Sequence, residues 1–310
     1  MSGAFLLWLL VACSTPQTSA LRTSLPANLP AQAELREVVF HPQALHQCGP
    51  ASLAMLMQNS GVNVAPEALK EYLYLPDKQG SLQLEMLASA RRYGLLAYVL
   101  RPSLQDVLTE VAGGNAVLVL KNMGLNWFPV WHYAVVVGYD LGREEIILRS
   151  GLEPRQLLPF TTFENTWARS KHWAMVALPP GRLPHTATAE NYVRSVAALT
   201  YTSRATEVWP AYTAAMQRWP ESLLVKIAAG NDAYLRGELT LAEHIFLEAT
   251  QAHADSAAAF NNLAQTLSDQ GKREEARVAI RRALEIGGPL EAVVRKTMVE
   301  IEQANNETLK

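Results

Sequence analysis

The chain has 310 residues, enough for two domains of ordinary size, and its 49% apolar and 18% charged content is that of a core-forming protein. A formal net charge of −2 supplies no basic field for nucleic acid, so nucleic-acid partners are not expected. Two cysteines in a chain this long do not make a disulfide framework.

The apolar run Ala4 to Ala12 is too short to span a bilayer, which takes about 20 residues, and has the length of a signal-peptide core. Leu10-Val11-Ala12-Cys13 resembles the bacterial lipobox. That resemblance implies a signal peptide over 1–12 and an acylated Cys13 as the first mature residue. With Ser14 rather than Asp after it, it implies an outer-membrane lipoprotein facing the periplasm. The segment before the run has no Lys or Arg, a departure from the pattern. The plain alternative is a secretory signal with an incidental cysteine. Residues 13–34 are polar, proline-rich and without period, which predicts a linker holding a folded body off the membrane.

Residues 35–180 mix helical and strand signals. Glu37–Phe40 reads as a short strand or extended entry. Cys48-Gly49-Pro50 opens an apolar helix, where proline is tolerated because its missing N–H had no intrahelical partner. Helices are predicted near Pro66–Tyr74, Leu82–Tyr93 and Ser103–Ala112. Strands are predicted at Leu95–Leu100, Asn115–Leu120, His132–Tyr139, Glu145–Arg149 and Trp173–Leu178. A two-residue turn at Leu141-Gly142 would pair Tyr139 with Glu144 and set His132 opposite Gly151. Helices first and an antiparallel sheet afterwards is an α+β order.

A proline-rich boundary, Leu178 to Pro184, precedes a region that reads as helical over 187–305. Gly237 and Gly271 are 34 residues apart, and Ala242/Ala276, Phe246/Ile280 and Ala249/Ala283 keep that offset. The period and its small residues resemble the tetratricopeptide repeat, which implies stacked helix pairs with a protein partner on one face. The best unit is Ala257–Gly288, Leu223–Ser256 is weaker, Ala189–Pro220 weaker still, and Leu290–Gln303 would cap the stack. A plain helical bundle with chance periodicity is the alternative.

The chemistry concentrates at Cys48. A thiol is mostly protonated at neutral pH, and a helix N-terminus or a neighbouring imidazolium lowers its pKa. Cys48 is placed for that, its own N–H for an oxyanion hole, and the Gln43 side-chain amide for a second donor. A buried structural cysteine is the competing reading. His132, opening an apolar strand, is the candidate base, with His172 as runner-up and His41 and His46 as possible cleft residues. The group that orients His132 is expected within Arg149–Glu153: Ser150, Glu153 or a backbone carbonyl. No His-x-x-x-His or Cys-x-x-Cys spacing points to a metal, and no cofactor is implied.

Taken together, Gln43, Cys48-Gly49-Pro50-Ala51 and His132-Tyr133-Ala134-Val135-Val136-Val137-Gly138-Tyr139 resemble the bacteriocin-processing, or double-glycine, cysteine peptidases, a papain-like family. The resemblance covers about residues 35–178. It implies an α+β papain-like domain with Cys48 as nucleophile, His132 as base and Gln43 as oxyanion donor. In that family an Asp closes the triad after the return strand, where this chain reads Leu148-Arg149-Ser150-Gly151. The expectation is therefore a membrane-anchored thiol hydrolase, a cysteine peptidase acting on a peptide or protein substrate, followed by an all-α repeat domain. The alternatives are a peptidase-fold binding or assembly lipoprotein without turnover, and thiol acyl transfer to an acceptor other than water.

Overall fold

The computed structural model describes residues 15–26, 29–43, 47–78, 80–200 and 208–307. The signal-peptide and lipobox readings, Cys13 included, and the candidate His46 fall outside these residues. The chain divides into two units, one running to Ala187 and one starting at Thr188.

In the first unit the order is α1 (Pro16–Thr23), β1 (Gln32–Glu34), α2 (Cys48–Asn59), α3 (Pro66–Leu73), α4 (Gln83–Arg92), β2 (Leu96–Val99), α5 (Leu104–Ala112), β3 (Val117–Asn122), β4 (Trp131–Asp140), β5 (Glu145–Ser150), β6 (Glu153–Pro159), α6 (Phe160–Ala168) and β7 (Ala174–Leu178). The strands form one antiparallel sheet in the order β2-β7-β3-β4-β5-β6, with β1 added on β4. Every residue of α2 from Gly49 to Met57 is buried. A helix apolar all round belongs inside a fold, and Leu53, Met55, Leu56 and Met57 pack against the sheet residues Leu118, Leu120, Tyr133, Val135 and Val137. Each such side chain contributes about 1.5–3 kcal/mol by leaving water. The first turn of α2 is thereby fixed beside the start of β4.

Three expectations are corrected. The stretch 13–34 is not a bare linker where it is described. Pro16 opens α1, whose Gln17 and Thr18 N–H groups are taken by the Glu164 carboxylate at 2.9 and 2.7 Å, and β1 pairs with Gly138–Asp140. Residues 37–40 are no strand: the Arg149 guanidinium donates to the carbonyls of Arg36 (3.2 Å) and Val38 (3.3 Å), so a side chain takes acceptors that a strand would offer a neighbour. The β4–β5 register also differs. Tyr139 pairs with Ile146, not Glu144, because the turn has four residues, and farther along the ladder shifts again between Val136 and Gly138. Glu144 closes that turn in the left-handed region (φ +54°), and Asp140 Oδ1 accepts from Arg143 N at 3.0 Å.

The second unit is helical: α7 (Ala189–Thr200), α8 (Trp209–Arg218), α9 (Leu223–Leu235), α10 (Leu239–Ala252), α11 (Ala257–Asp269), α12 (Arg273–Ile286) and α13 (Glu291–Glu307). The starts of α7, α9, α11 and α13 follow one another at intervals of 34 residues. Ser222 and Ser256, the same interval apart, cap α9 and α11 by accepting from Val225 N and Ala259 N. Ala242, Ala249, Ala276 and Ala283 are fully buried between helices. At Gly230 a β-carbon would stand 2.4 Å from the Phe246 ring, so glycine is what lets α9 and α10 close on each other. The region is helical and consistent with a helical-repeat domain, with the 34-residue interval kept by α7, α9, α11 and α13. Among the described residues no helix is long and apolar enough to cross a membrane.

Candidate active site

Cys48 is the first residue of α2 and is partly buried. Gly49 matters for packing, since a β-carbon there would stand 2.3 Å from Ser81 Oγ; its absence lets the Ser81 loop close over the first helical turn. The backbone groups of Tyr133, Gly49 and Cys48 itself favour the thiolate of Cys48. The last two are the free N–H groups of a helix start, and they pull the thiol pKa down as expected. Burial outweighs them, and the net result is a thiol pushed up from its ordinary value. This reverses the low pKa expected from position alone: the helix terminus acts, but desolvation acts more strongly.

Tyr133 follows His132, so the group that acts on the thiol from β4 stands one residue past the imidazole. His132 Nε2 lies 2.9 Å from Ser150 Oγ, which fixes the ring from β5. Burial and the charge of Lys121 push the His132 pKa down to about 4. Lys121 pairs with His132 across the β3–β4 ladder, which puts the two side chains side by side on one face. It is fully buried, and its Nζ has no hydrogen-bond partner among the described residues. Burial lowers its pKa to about 8, against a small opposing pull from Glu153. Sequence reading missed Lys121; the available signal was a lysine in step with Val117 and Val119 at the end of an otherwise apolar strand.

Gln43 is 8% exposed and ties three segments together. Its Nε2 donates to Ser52 Oγ at 3.0 Å and to the Tyr133 carbonyl at 3.4 Å, and its Oε1 accepts from Gly151 N at 3.0 Å. Ser52 is one turn beyond Cys48, so the amide sits beside the thiol's own helix turn, with its hydrogens already directed at protein acceptors. Glu153, the other candidate orienter, instead accepts from Gln156 Nε2 at 3.1 Å. His41 bonds Gln58 Oε1 at 3.0 Å, near the far end of α2. His172 packs edge-on against Trp167 with ring centroids 4.8 Å apart. Among the described residues no cluster of His, Cys, Asp or Glu could hold a metal ion.

Residues 31–175 match the model of the Peptidase_C39 like family. That segment is similar to the C39-like peptidase family. Two solved structures are similar to this part of the chain. One is a C39-like peptidase from Bacillus anthracis, at 20% identity, covering 48% of this chain and 98% of that one, with a TM-score of 0.40. The other is the peptidase domain of Streptococcus ComA, a bifunctional ABC transporter of a quorum-sensing pathway, at 21% identity, covering 46% and 99%, with a TM-score of 0.36. Among curated proteins nothing matches.

Proposed function

We propose that the first unit is a thiol hydrolase that cleaves peptide bonds through Cys48 and His132. The observation that carries this reading is the Gln43 amide, which bridges Ser52, one turn beyond Cys48, and the carbonyl of Tyr133, next to His132, while Ser150 holds Nε2 of that His132. Ser150 occupies Nε2, which leaves Nδ1 for the thiol proton. A raised thiol pKa and a lowered imidazole pKa make the resting pair neutral, so the proton moves during attack rather than before it. The sulfur adds to the amide carbonyl, the imidazolium then protonates the leaving amine, and water releases the acid. The Cys48 N–H is one oxyanion donor. Gln43 serves as the second by turning the hydrogen it now shares at 3.4 Å with the Tyr133 carbonyl.

Around this centre we place an acylated Cys13 and a periplasm-facing outer-membrane location, both from the lipobox likeness. The second unit we read as tetratricopeptide-type repeats that recruit a protein partner. A groove of about 780 Å³ there has an apolar floor of Phe260, Leu263 and Leu267 and charged walls including Glu274 and Arg281.

A second reading has a specific observation behind it. Where the double-glycine peptidases have an Asp, this chain has Ser150, and a buried ammonium adjoins the base. A binding or assembly protein that has lost turnover would tolerate both. The deciding experiment incubates wild type, Cys48→Ala and His132→Ala with periplasmic extract and looks for a peptide acyl group on Cys48 by mass spectrometry. The hydrolase reading requires an adduct in wild type that vanishes in Cys48→Ala. Identical species in both would end covalent catalysis. Acyl groups found on amines instead of free acids would assign transfer rather than hydrolysis.

A further inference from the structure

We propose that the hairpin between β3 and β4 seats in the interface of a lipid bilayer, so that the thiol site works at the membrane surface. This deepens the lipoprotein reading above and rests on it for the anchor. Within nine residues the hairpin exposes Met123 (49%), Leu125 (51%), Trp127 (81%), Phe128 (69%), Val130 (51%) and Trp131 (50%). Scattered exposed apolar residues are ordinary, but a contiguous run is not. Tryptophan is also the residue most at home at the lipid headgroup level.

Two features favour lipid over a peptide as the occupant. First, the hairpin pairs much of its own backbone. Leu125 and Phe128 exchange N–H···O bonds of 3.1 Å, and Met123 N donates to Val130 O at 2.8 Å. Asn122 Oδ1 accepts from Gly124 N and Val130 N, each at 2.9 Å, and Arg169 donates to the carbonyls of Asn122 (3.1 Å) and Gly124. A strand-adding peptide needs free backbone groups, whereas lipid demands that none be left over. From Val111 to Tyr139 the sequence has no Asp or Glu, while Arg169 and Lys171 are exposed beyond α6, a charge bias suited to anionic headgroups.

Second, the chain leading to the proposed anchor is short. Cys13 precedes Gln17 by four residues, a reach of about 14 Å at most. Gln17 and Thr18 are pinned to Glu164 of α6, and Gln17 also to Pro102 O and Leu104 N. Five residues further along, at about 1.5 Å per residue, Arg169 holds the base of the hairpin. The start of α1 and the aromatic hairpin are thus both held by α6 and the residue that follows it. An acylated Cys13 keeps this unit against the bilayer instead of floating it on a tether.

The test uses the full chain bound to phosphatidylethanolamine/phosphatidylglycerol vesicles. Subtracting the emission of Trp127→Phe isolates Trp127. Brominated acyl chains should quench that signal and aqueous iodide should not, and Trp127→Ala with Phe128→Ala should weaken vesicle binding of a Cys13→Ala chain about tenfold. Incorporation of labelled fatty acid reads the anchor separately, so quenching without acylation leaves the hairpin proposal standing and removes the lipoprotein reading. A vesicle-bound protein whose Trp127 stays open to iodide and untouched by bromolipid overturns the proposal. Overturned too is the case where the double variant loses cleavage of a lipid-free peptide while Trp127 is unquenched, which assigns the hairpin to substrate.

Discussion

At the scale of single residues, His132 is controlled by two neighbours of unequal effect. Ser150 orients the ring but brings no charge, and Lys121 brings a charge of the wrong sign for an imidazolium. The thiol should therefore not show the acid-side reactivity of a preformed ion pair. Iodoacetamide alkylation of Cys48 should climb about tenfold per pH unit from neutrality into the alkaline range, with no plateau between pH 4 and 8. Such a plateau would refute the neutral resting pair. Replacing Ser150 by Asp adds the missing carboxylate, which favours the imidazolium, so alkylation at pH 6 should increase several-fold. Lys121→Met acts on stability as well. The buried lysine has a folded-state pKa of about 8, below its unfolded value, so at pH 7 it is protonated in both states and its burial cost is paid in full. The substitution should stabilise the first unit by on the order of 2–3 kcal/mol at pH 7, and the gain should shrink as pH rises above 8 toward the unfolded pKa. Denaturant melts at pH 7 and pH 10 check both the sign and the window.

At the scale of elements, the contrast between α2 and α1 explains which parts of the fold could be read in advance. The helix α2 announces itself by a continuous apolar run, as β3, β4 and β7 do, and the 34-residue offset sets out the second unit before any coordinate is known. By contrast, α1 is a polar, proline-led stretch whose order comes from Glu164, 146 residues away. A partner at that separation leaves no mark in a local window. The strand β6 carries Pro154 and Pro159, which argue against a strand; it is tolerated because it is the sheet edge. The helix that opens at Cys48 and the strand that carries His132 were legible from their flanking residues, but the direction of the thiol pKa was not, because burial is a property of the folded whole. The account of α1 is testable. Glu164→Ala removes three hydrogen bonds to Gln17 and Thr18, including that from Thr18 Oγ1 at 2.7 Å. It should cost about 2–4 kcal/mol and release the α1 amides to fast hydrogen exchange while those of α2 stay protected. Equal loss of protection in both helices would show that α1 is not a separately held element. In the second unit, Gly230→Ala should cost about 1–3 kcal/mol, since the Phe246 ring must move to admit one methyl.

At the scale of the whole molecule, the two units differ in what acid does to them. Each has its own buried core, Leu53 and Val135 among the residues of one and Phe246 and Ala264 among those of the other, so two unfolding transitions are expected. In the first unit His132 is neutral when folded and titrates near 4, whereas the unfolded chain takes up its proton near 6.5. Between those values the unfolded state binds the extra proton, so stability that is present above about pH 6.5 is lost as pH falls toward 4. The upper limit for this group is about 3 kcal/mol. In the second unit the resolved acidic shifts are those of Glu243 and Glu248, held low chiefly by hydrogen bonds from Lys272 and Lys226. Carboxylates of that kind contribute above their unfolded pKa and lose the contribution only as pH drops below about 4.5. The windows therefore separate. Scanning calorimetry of the full chain at pH 7 and pH 5 should show the transition of the first unit moving down by several degrees, with that of the second nearly stationary. His132→Gln should shrink the shift of the first, leaving the part that belongs to His172, whose pKa burial also lowers. A common shift of both transitions, or one of undiminished size in His132→Gln, would mean that the acid response belongs to other groups and that the His132 imidazole is not held neutral by its surroundings.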